Sequence, residues 1–112
     1  MATMTLEAPI TLDLGVLIGN RPDVRTLSGH DRGVEARALL KLDELDEDNR
    51  HVSVVVPESV VAISPSFLQG MLTRSIRKLG RAQFERHYNF QSNRYIREQL
   101  GEVVADIAGQ SA

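Results

Sequence analysis

Apolar and polar positions change their period several times along this chain, and each change marks an element. Ile10-Thr11-Leu12-Asp13-Leu14 alternates apolar with polar, the pattern of a half-buried strand. Gly15 to Ile18 either extends it or begins a short irregular segment. Asn20-Arg21-Pro22-Asp23 is turn sequence, and Val24 to Leu27 reads as a second short strand. Val34, Ala38, Leu42 and Leu45 then recur at three or four residues with Leu39 beside them. This spacing predicts a helix that starts with Asp31 as N-cap and runs to about Asp46. Its acidic end opposes the helix dipole and favours fraying there.

Val52 to Val56 is a β-branched run whose continuous valine content predicts a mid-sheet strand buried on both faces. Pro57, lacking an N–H, ends its pairing. Ser59 to Ile63 crosses to a second helix with Ser64 as N-cap and Pro65 at the first helical position, where a missing N–H costs nothing. Leu68, Leu72, Ile76 and Leu79 form its buried stripe, Phe67 and Met71 flank it, and Gly80 stops it. Gln83 to His87 reads as a helical turn and Tyr88-Asn89-Phe90 as a short strand. Asn93 caps a last helix with Ile96, Leu100, Val103, Val104 and Ile107 inward and Gly109 at its end. The order is roughly β-β-α-β-α-β-α. It implies an α/β fold: one small domain over 1–112, with a mixed, mostly parallel sheet of about four strands packed by three to four helices. Residues 1–8 read as a loose leader and 109–112 as a fraying tail.

Composition adjusts this picture in few places. The 112 residues suit one domain, and 42% hydrophobic with 25% charged residues is enough for a core. Three Phe, two Tyr and no Trp leave that core to aliphatic side chains and offer no base-stacking platform. The absence of cysteine excludes disulfides, thiolate metal sites and a cysteine nucleophile. No apolar run reaches the roughly 18 residues of a membrane span, and no signal-peptide pattern opens the chain. A soluble cytoplasmic protein is the expectation.

The net charge of −2 argues against general attraction to nucleic acid or anionic membrane. It conceals an asymmetry. Asp43 to Asp48 is strongly acidic, whereas Gly70 to Arg97 carries Arg74, Arg77, Lys78, Arg81, Arg86, Arg94 and Arg97 against Glu85 alone. These surfaces read either as solvated helix faces or as complementary halves of a contact between two copies.

Three segments, LSGHDRGVEARALLKLDELD, VSVVVPESVVAISPSFLQGMLTRSIRKLG and AQFERHYNF, follow one another with short gaps. Together they resemble the STAS-like domain of unknown function, a bacterial family, from about Leu12 to Phe90. The shared features are a glycine- and arginine-containing helix start, a strand, a Ser-Phe-Leu helix start and a shorter aromatic strand. The family is named for its similarity to anti-sigma-factor antagonists, in which a serine at a helix start is phosphorylated by a partner kinase. Laid on this chain, the Asp-Ser-Ser-Gly-Leu turn of those proteins falls on Ser64-Pro65-Ser66-Phe67-Leu68. The usual phosphoserine position is therefore Pro65, and a shift to Ser64 or Ser66 is needed. The resemblance also implies a partner of the histidine-kinase ATPase type.

Ser64 and Ser66 are accordingly the candidate partner-binding or phosphoacceptor residues. A phosphate there would meet the positive end of a helix. Each also has an ordinary reading, Ser64 as an N-cap and Ser66 as a first-turn residue. Arg32, beside Gly33, is a candidate for contact with an anion or partner, or for pairing with the acidic 43–48 segment. No catalytic constellation is visible: the serines lack a G-x-S-x-G frame, and neither glycine-rich nucleotide loop is present. His30, His51 and His87 are scattered, so no metal and no cofactor is expected. Three roles remain. The chain is a non-enzymatic regulatory module that binds a protein partner, a homo-oligomeric assembly protein using its acidic 43–48 and basic 70–97 surfaces, or, weakest, a nucleic-acid accessory.

Overall fold

The computed structural model describes residues 8–110. The expected leader, apart from Ala8, and the last two residues of the expected tail lie outside that range. The elements are β1 (Ile10–Asp13), a 3-10 helix (Leu14–Ile18), β2 (Thr26–Leu27), α1 (His30–Leu39), α2 (Leu42–Leu45), β3 (Val52–Val55), β4 (Ala62–Ile63), α3 (Pro65–Leu79), α4 (Arg81–His87), β5 (Tyr88–Gln91) and α5 (Arg94–Gln110). Every strand pairing is parallel. β3 lies between β1 and β5, and β2 pairs with β4. The α/β class stands, with the strands divided into ladders of three and two. Pro57 marks the division. The Val60 N–H donates back to the Pro57 carbonyl in a turn, and the chain then pairs with Arg25 and Leu27 instead of continuing the first sheet.

Register explains how the valine ribbon is used. Ile10 and Leu12 of β1, Val52 and Val54 of β3, and Tyr88 and Phe90 of β5 share one face. Val52 and Val54 there are shut off from solvent, and Tyr88 and Phe90 are buried. The other face carries Thr11 and Asp13, then Ser53 and Val55, then Asn89 and Gln91, of which only Ser53 and Val55 are even half-buried. Burial of β3 on both faces is therefore not observed. The polar positions of its two neighbours leave nothing apolar to cover that side.

The helical stretch after β2 departs most from expectation. α1 stops at Leu39, the chain reverses through Lys41 in the left-handed region (φ 58), and α2 is a separate four-residue helix. The N-cap of α1 is Gly29 (φ 97), not Asp31, and no side chain caps it. Within α1 the expected apolar face is turned out: Val34 is 47% exposed, Leu39 65%, and Ala38 is exposed as well, whereas Leu42 and Leu45 of α2 are buried and half-buried. Gly33, Ala36 and Arg37 face inward instead. Contact between backbones is the cause. A Cβ on Gly33 would collide with the Phe67 carbonyl, and one on Gly70 with the His30 carbonyl. The two glycines let α1 and α3 touch at the main chain, and this rotates the more apolar flank of α1 into solvent.

Arg37, one turn beyond Gly33, is thereby buried with all its donors engaged. Nη1 donates to the Met71 carbonyl at 3.0 Å and to Ser75 Oγ at 2.8 Å. Nη2 donates to Asp46 Oδ2 at 2.8 Å and to Asp43 Oδ1 at 2.6 Å, and Nε to the same Asp43 oxygen at 3.2 Å. Asp46 in turn accepts from Ser75 Oγ at 2.7 Å and from the Tyr88 hydroxyl at 2.6 Å. Asp46, just past α2, and residues of α1, α3 and β5 thus meet in one polar cluster inside the core. Among the described residues no buried side-chain polar atom lacks a partner. Burial, with the bond to Asp46 and its negative charge, pushes the Tyr88 hydroxyl well above the ordinary tyrosine range.

α3 and α5 follow the sequence closely. Ser64 caps α3, Gly80 (φ 80) ends it, and Leu68, Leu72 and Ile76 are buried with Phe67 and Met71, while Leu79 is half-buried. The Ile96 N–H donates to Asn93 Oδ1 at 2.8 Å, which makes Asn93 the side-chain cap of α5. Ile96, Val103, Val104 and Ile107 lie inward and Leu100 is half-buried. α5 runs through Gly109 to Gln110, so that glycine does not terminate it. A helical glycine with open space around it needs no cap conformation.

Gly33→Ala is expected to lower the unfolding free energy by about 1–3 kcal/mol or more, as overpacking does. Gly101→Ala, with nothing near its Cβ position in α5, is expected to raise it by about 0.5–1 kcal/mol. Urea unfolding of the two variants checks the pair, and equal effects would refute the helix contact. Tyr88 gives a pH expectation. Its folded value is raised, so its contribution is complete below the ordinary tyrosine value of about 10 and declines as pH rises above it, where only the unfolded chain ionises. In a Tyr95→Phe background Tyr88 is the sole tyrosine. Tyrosinate absorbance should then emerge only as the helical circular dichroism is lost, and tyrosinate in a still-folded chain would contradict the cluster.

Candidate functional site

The start of α3 is built by a short run of residues with separate tasks. Ser64 is extended (φ −69, ψ 151), and its Oγ accepts the Phe67 N–H at 3.1 Å, while Pro65 fixes the first turn. The Ser64 and Ser66 hydroxyls lie 3.2 Å apart. Ser64 is half-buried and engaged as the cap, whereas Ser66 is exposed. Neither hydroxyl has a histidine or carboxylate among its hydrogen-bond partners in the described residues, so no base is in place to activate it.

α1 begins alongside. β2 and β4 are parallel and the Ser64 N–H donates to the Leu27 carbonyl at 2.8 Å, so both helices leave their paired strands in the same direction. The first-turn N–H groups of α1 receive no side-chain cap. Next to this helix start opens a cleft of about 910 Å³, walled by the 3-10 helix, by Val24 and Thr26 to Ser28, by one side of α1 and by Phe67 of α3. Arg32 lines the cleft and is exposed; among the described residues it makes no ion pair. Val16 and Leu39, also part of the lining, leave 53% and 65% of their surface open.

The sequence-derived candidates are therefore brought to one end of the molecule but not into one constellation. Arg32 and Phe67 share the cleft, while Ser64 and Ser66 stand at its side without lining it. Pairing of Arg32 with the acidic segment is not observed; Arg37 makes those contacts. Five residues along a helix amount to about 140° of rotation, which points Arg32 away from the side of α1 that meets α3.

The acidic 43–48 segment has its counter-charges within the chain. Besides Arg37, Arg74 lies 3.7 Å from Asp43, and Lys78 Nζ is 2.9 Å from Glu47. The bond from Arg37 holds the Asp43 carboxyl below the usual range, with help from the Arg37, Arg74 and Lys78 charges. Arg50 holds Asp48 at about 2. Arg81 and Arg94 pair with Glu85 and Glu98 one turn along their own helices. The complementarity that suggested contact between copies is thus at least partly used inside one copy.

The three histidines lie apart in function. His51 Nδ1 bonds the Arg86 carbonyl at 2.8 Å, His87 Nε2 bonds the Leu45 carbonyl at 2.7 Å, and His30 lies 3.8 Å from Asp31. Among the described residues no three His, Asp or Glu side chains converge as metal ligands, and no helix is long and apolar enough to cross a membrane.

Sequence reasoning missed Arg37, Asp46, Ser75 and Tyr88 as a unit. The signal was present only as polar residues interrupting apolar stripes, Arg37 between Ala36 and Ala38 and Ser75 before Ile76. No family model, curated protein or solved structure matches the chain.

Ser64→Ala is expected to cost about 1 kcal/mol through loss of the cap. Ser66→Ala should stay within about 0.5 kcal/mol of the parent, as surface changes do. Chemical denaturation distinguishes them, and a larger loss at Ser66 than at Ser64 would reverse these assignments.

Proposed function

We propose that this chain is a non-enzymatic regulatory module that binds a protein partner at the start of α3. The reading rests on one observation: Ser66 is exposed on the first turn, bonded only to the Ser64 hydroxyl, while Ser64 carries the structural cap, so one hydroxyl is open to recognition without loss of the fold. The neighbouring cleft adds Arg32 and the open apolar surface of Val16 and Leu39, the mixture of charge and apolar area that a protein partner covers. Similarity to STAS-like domains suggests that the partner is a kinase or ATPase of the histidine-kinase type and that Ser66 is the hydroxyl it modifies. A phosphate on Ser66 would lie in the first turn of α3, at the positive end of the helix dipole, and be stabilised there, and its charge would repel an acidic partner surface. Self-association through the acidic and basic surfaces has less support, because Arg37, Arg74 and Lys78 already meet Asp43 and Glu47 within the chain.

The test is a comparison of baits in the host cell. Wild type, Ser66→Ala and Ser66→Asp should have the same circular dichroism. A partner retained by wild type and Ser66→Ala but lost with Ser66→Asp is the expected result, together with a phosphate on Ser66 by mass spectrometry. Identical capture by all three, with Ser66 unmodified, would rule the reading out.

A further inference from the structure

We propose a phosphate-binding site at the C-terminal half of α3, occupied in this structure by the chain's own Asp43 as a placeholder. It is independent of the serine surface at the other end of the helix. A cavity of about 450 Å³ opens there, lined by the cations Arg37, Arg74, Arg77 and Lys78 and by Asp43, Asp46 and Glu47. Asp46 is turned into the core, where Ser75, Tyr88 and Arg37 bind it, and its side chain is 1% exposed. Toward the opening, Arg74, Arg77, Lys78 and the outer edge of Arg37, whose charge Asp46 already meets in the core, therefore face Asp43 and Glu47.

The arrangement around Arg37 identifies the exchangeable position. Two of its five N–H groups go to Met71 and Ser75, and one goes to Asp46, all inside the core. The remaining edge, Nε with the second Nη2 hydrogen, points at Asp43, whose side chain is 60% exposed while that of Arg37 is 6% exposed. A single oxygen, Oδ1, accepts both of those bonds, and Oδ2 is 3.7 Å from Arg74. This is not the side-by-side pairing that a guanidinium makes with two separate oxygens. A phosphate group supplies three terminal oxygens, two for the Arg37 edge and one for Arg74 or Lys78, and carries about −1.5 to −2 charge at neutral pH against −1 for a carboxylate. Rotation of the exposed Asp43 side chain clears the position. The buried Asp46 keeps its three partners, so the fold stays closed behind the ligand.

The ligand class is inorganic phosphate or a small phosphomonoester. Calorimetric titration with sodium phosphate and with glycerol phosphate, each against sodium chloride at matched ionic strength, tests it on the full chain. Wild type should bind weakly and saturably. Asp43→Asn, which removes the competing charge, should bind at least about tenfold more tightly, a change of about 1.4 kcal/mol. Arg74→Ala combined with Lys78→Ala should bind more weakly than wild type. If Asp43→Asn is poorly stable, phosphate should raise its melting temperature more than that of wild type. Binding of glycerol phosphate as well as inorganic phosphate assigns an organic phosphate, and binding of inorganic phosphate alone assigns the free anion; both support the site. Phosphate acting no differently from chloride in wild type and in Asp43→Asn, or equal affinity of the two proteins, would overturn it.

Discussion

Main-chain contact between α1 and α3 at Gly33 and Gly70 is the constraint on which the rest of the structure depends. Two helices that lack side chains at their closest point approach nearer than side-chain packing allows, and their relative rotation is then fixed. That rotation carries Arg37 into the interior. A buried guanidinium requires acceptors, and Met71, Ser75 and Asp46 supply them. Asp46 reaches the cluster only if the chain turns back after Leu39, which the left-handed residue at Lys41 accomplishes. Tyr88, at the start of β5, closes the cluster from the sheet. One close approach therefore propagates through helix, turn and strand.

The sequence was most informative where a single element decides its own structure. The Ser64-Pro65 start of α3, its apolar stripe, its Gly80 stop and the Asn93 cap of α5 each depend on residues a few positions apart, and all appear as expected. Parallel pairing followed from alternation of strands and helices. The failures share a cause. The apolar spacing from Val34 to Leu45 fits a helix, but whether that face is buried depends on a glycine contact with a helix more than 30 residues away, which no local period encodes. The continuous valines of β3 suggested two buried faces, yet the neighbours Thr11, Asp13, Asn89 and Gln91 settle the character of the second face.

The same limit applied to the site. Ser64 and Ser66 were visible because capping chemistry is local, and the structure separates their tasks by exposure. Arg32 drew attention through its adjacency to Gly33, but the side of the helix mattered more than adjacency. Arg37 faces α3 and the acidic segment, whereas Arg32 faces the cleft. Charge runs read along the chain gave no sign of pairing within it, because Asp43 and Glu47 are distant in sequence from Arg74 and Lys78 yet meet them in the fold.

Retention of a charged cluster in so small a core has a physical implication. Removing an arginine and an aspartate from water costs several kcal/mol per ion, and apolar replacements of similar volume often serve stability as well or better. Raw stability is therefore a poor account of why Arg37 and Asp46 face each other inside the core. Their bonds are directional: satisfying every donor of Arg37 constrains α1, the turn at Lys41 and α3 together, and the Tyr88 bond to Asp46 ties β5 to them. An apolar cluster of leucines at the same point would tolerate several helix rotations, including the one in which Val34, Ala38 and Leu39 turn inward. The buried pair thus reinforces the rotation that the glycine contact sets, the one that leaves the cleft and the exposed start of α3 side by side.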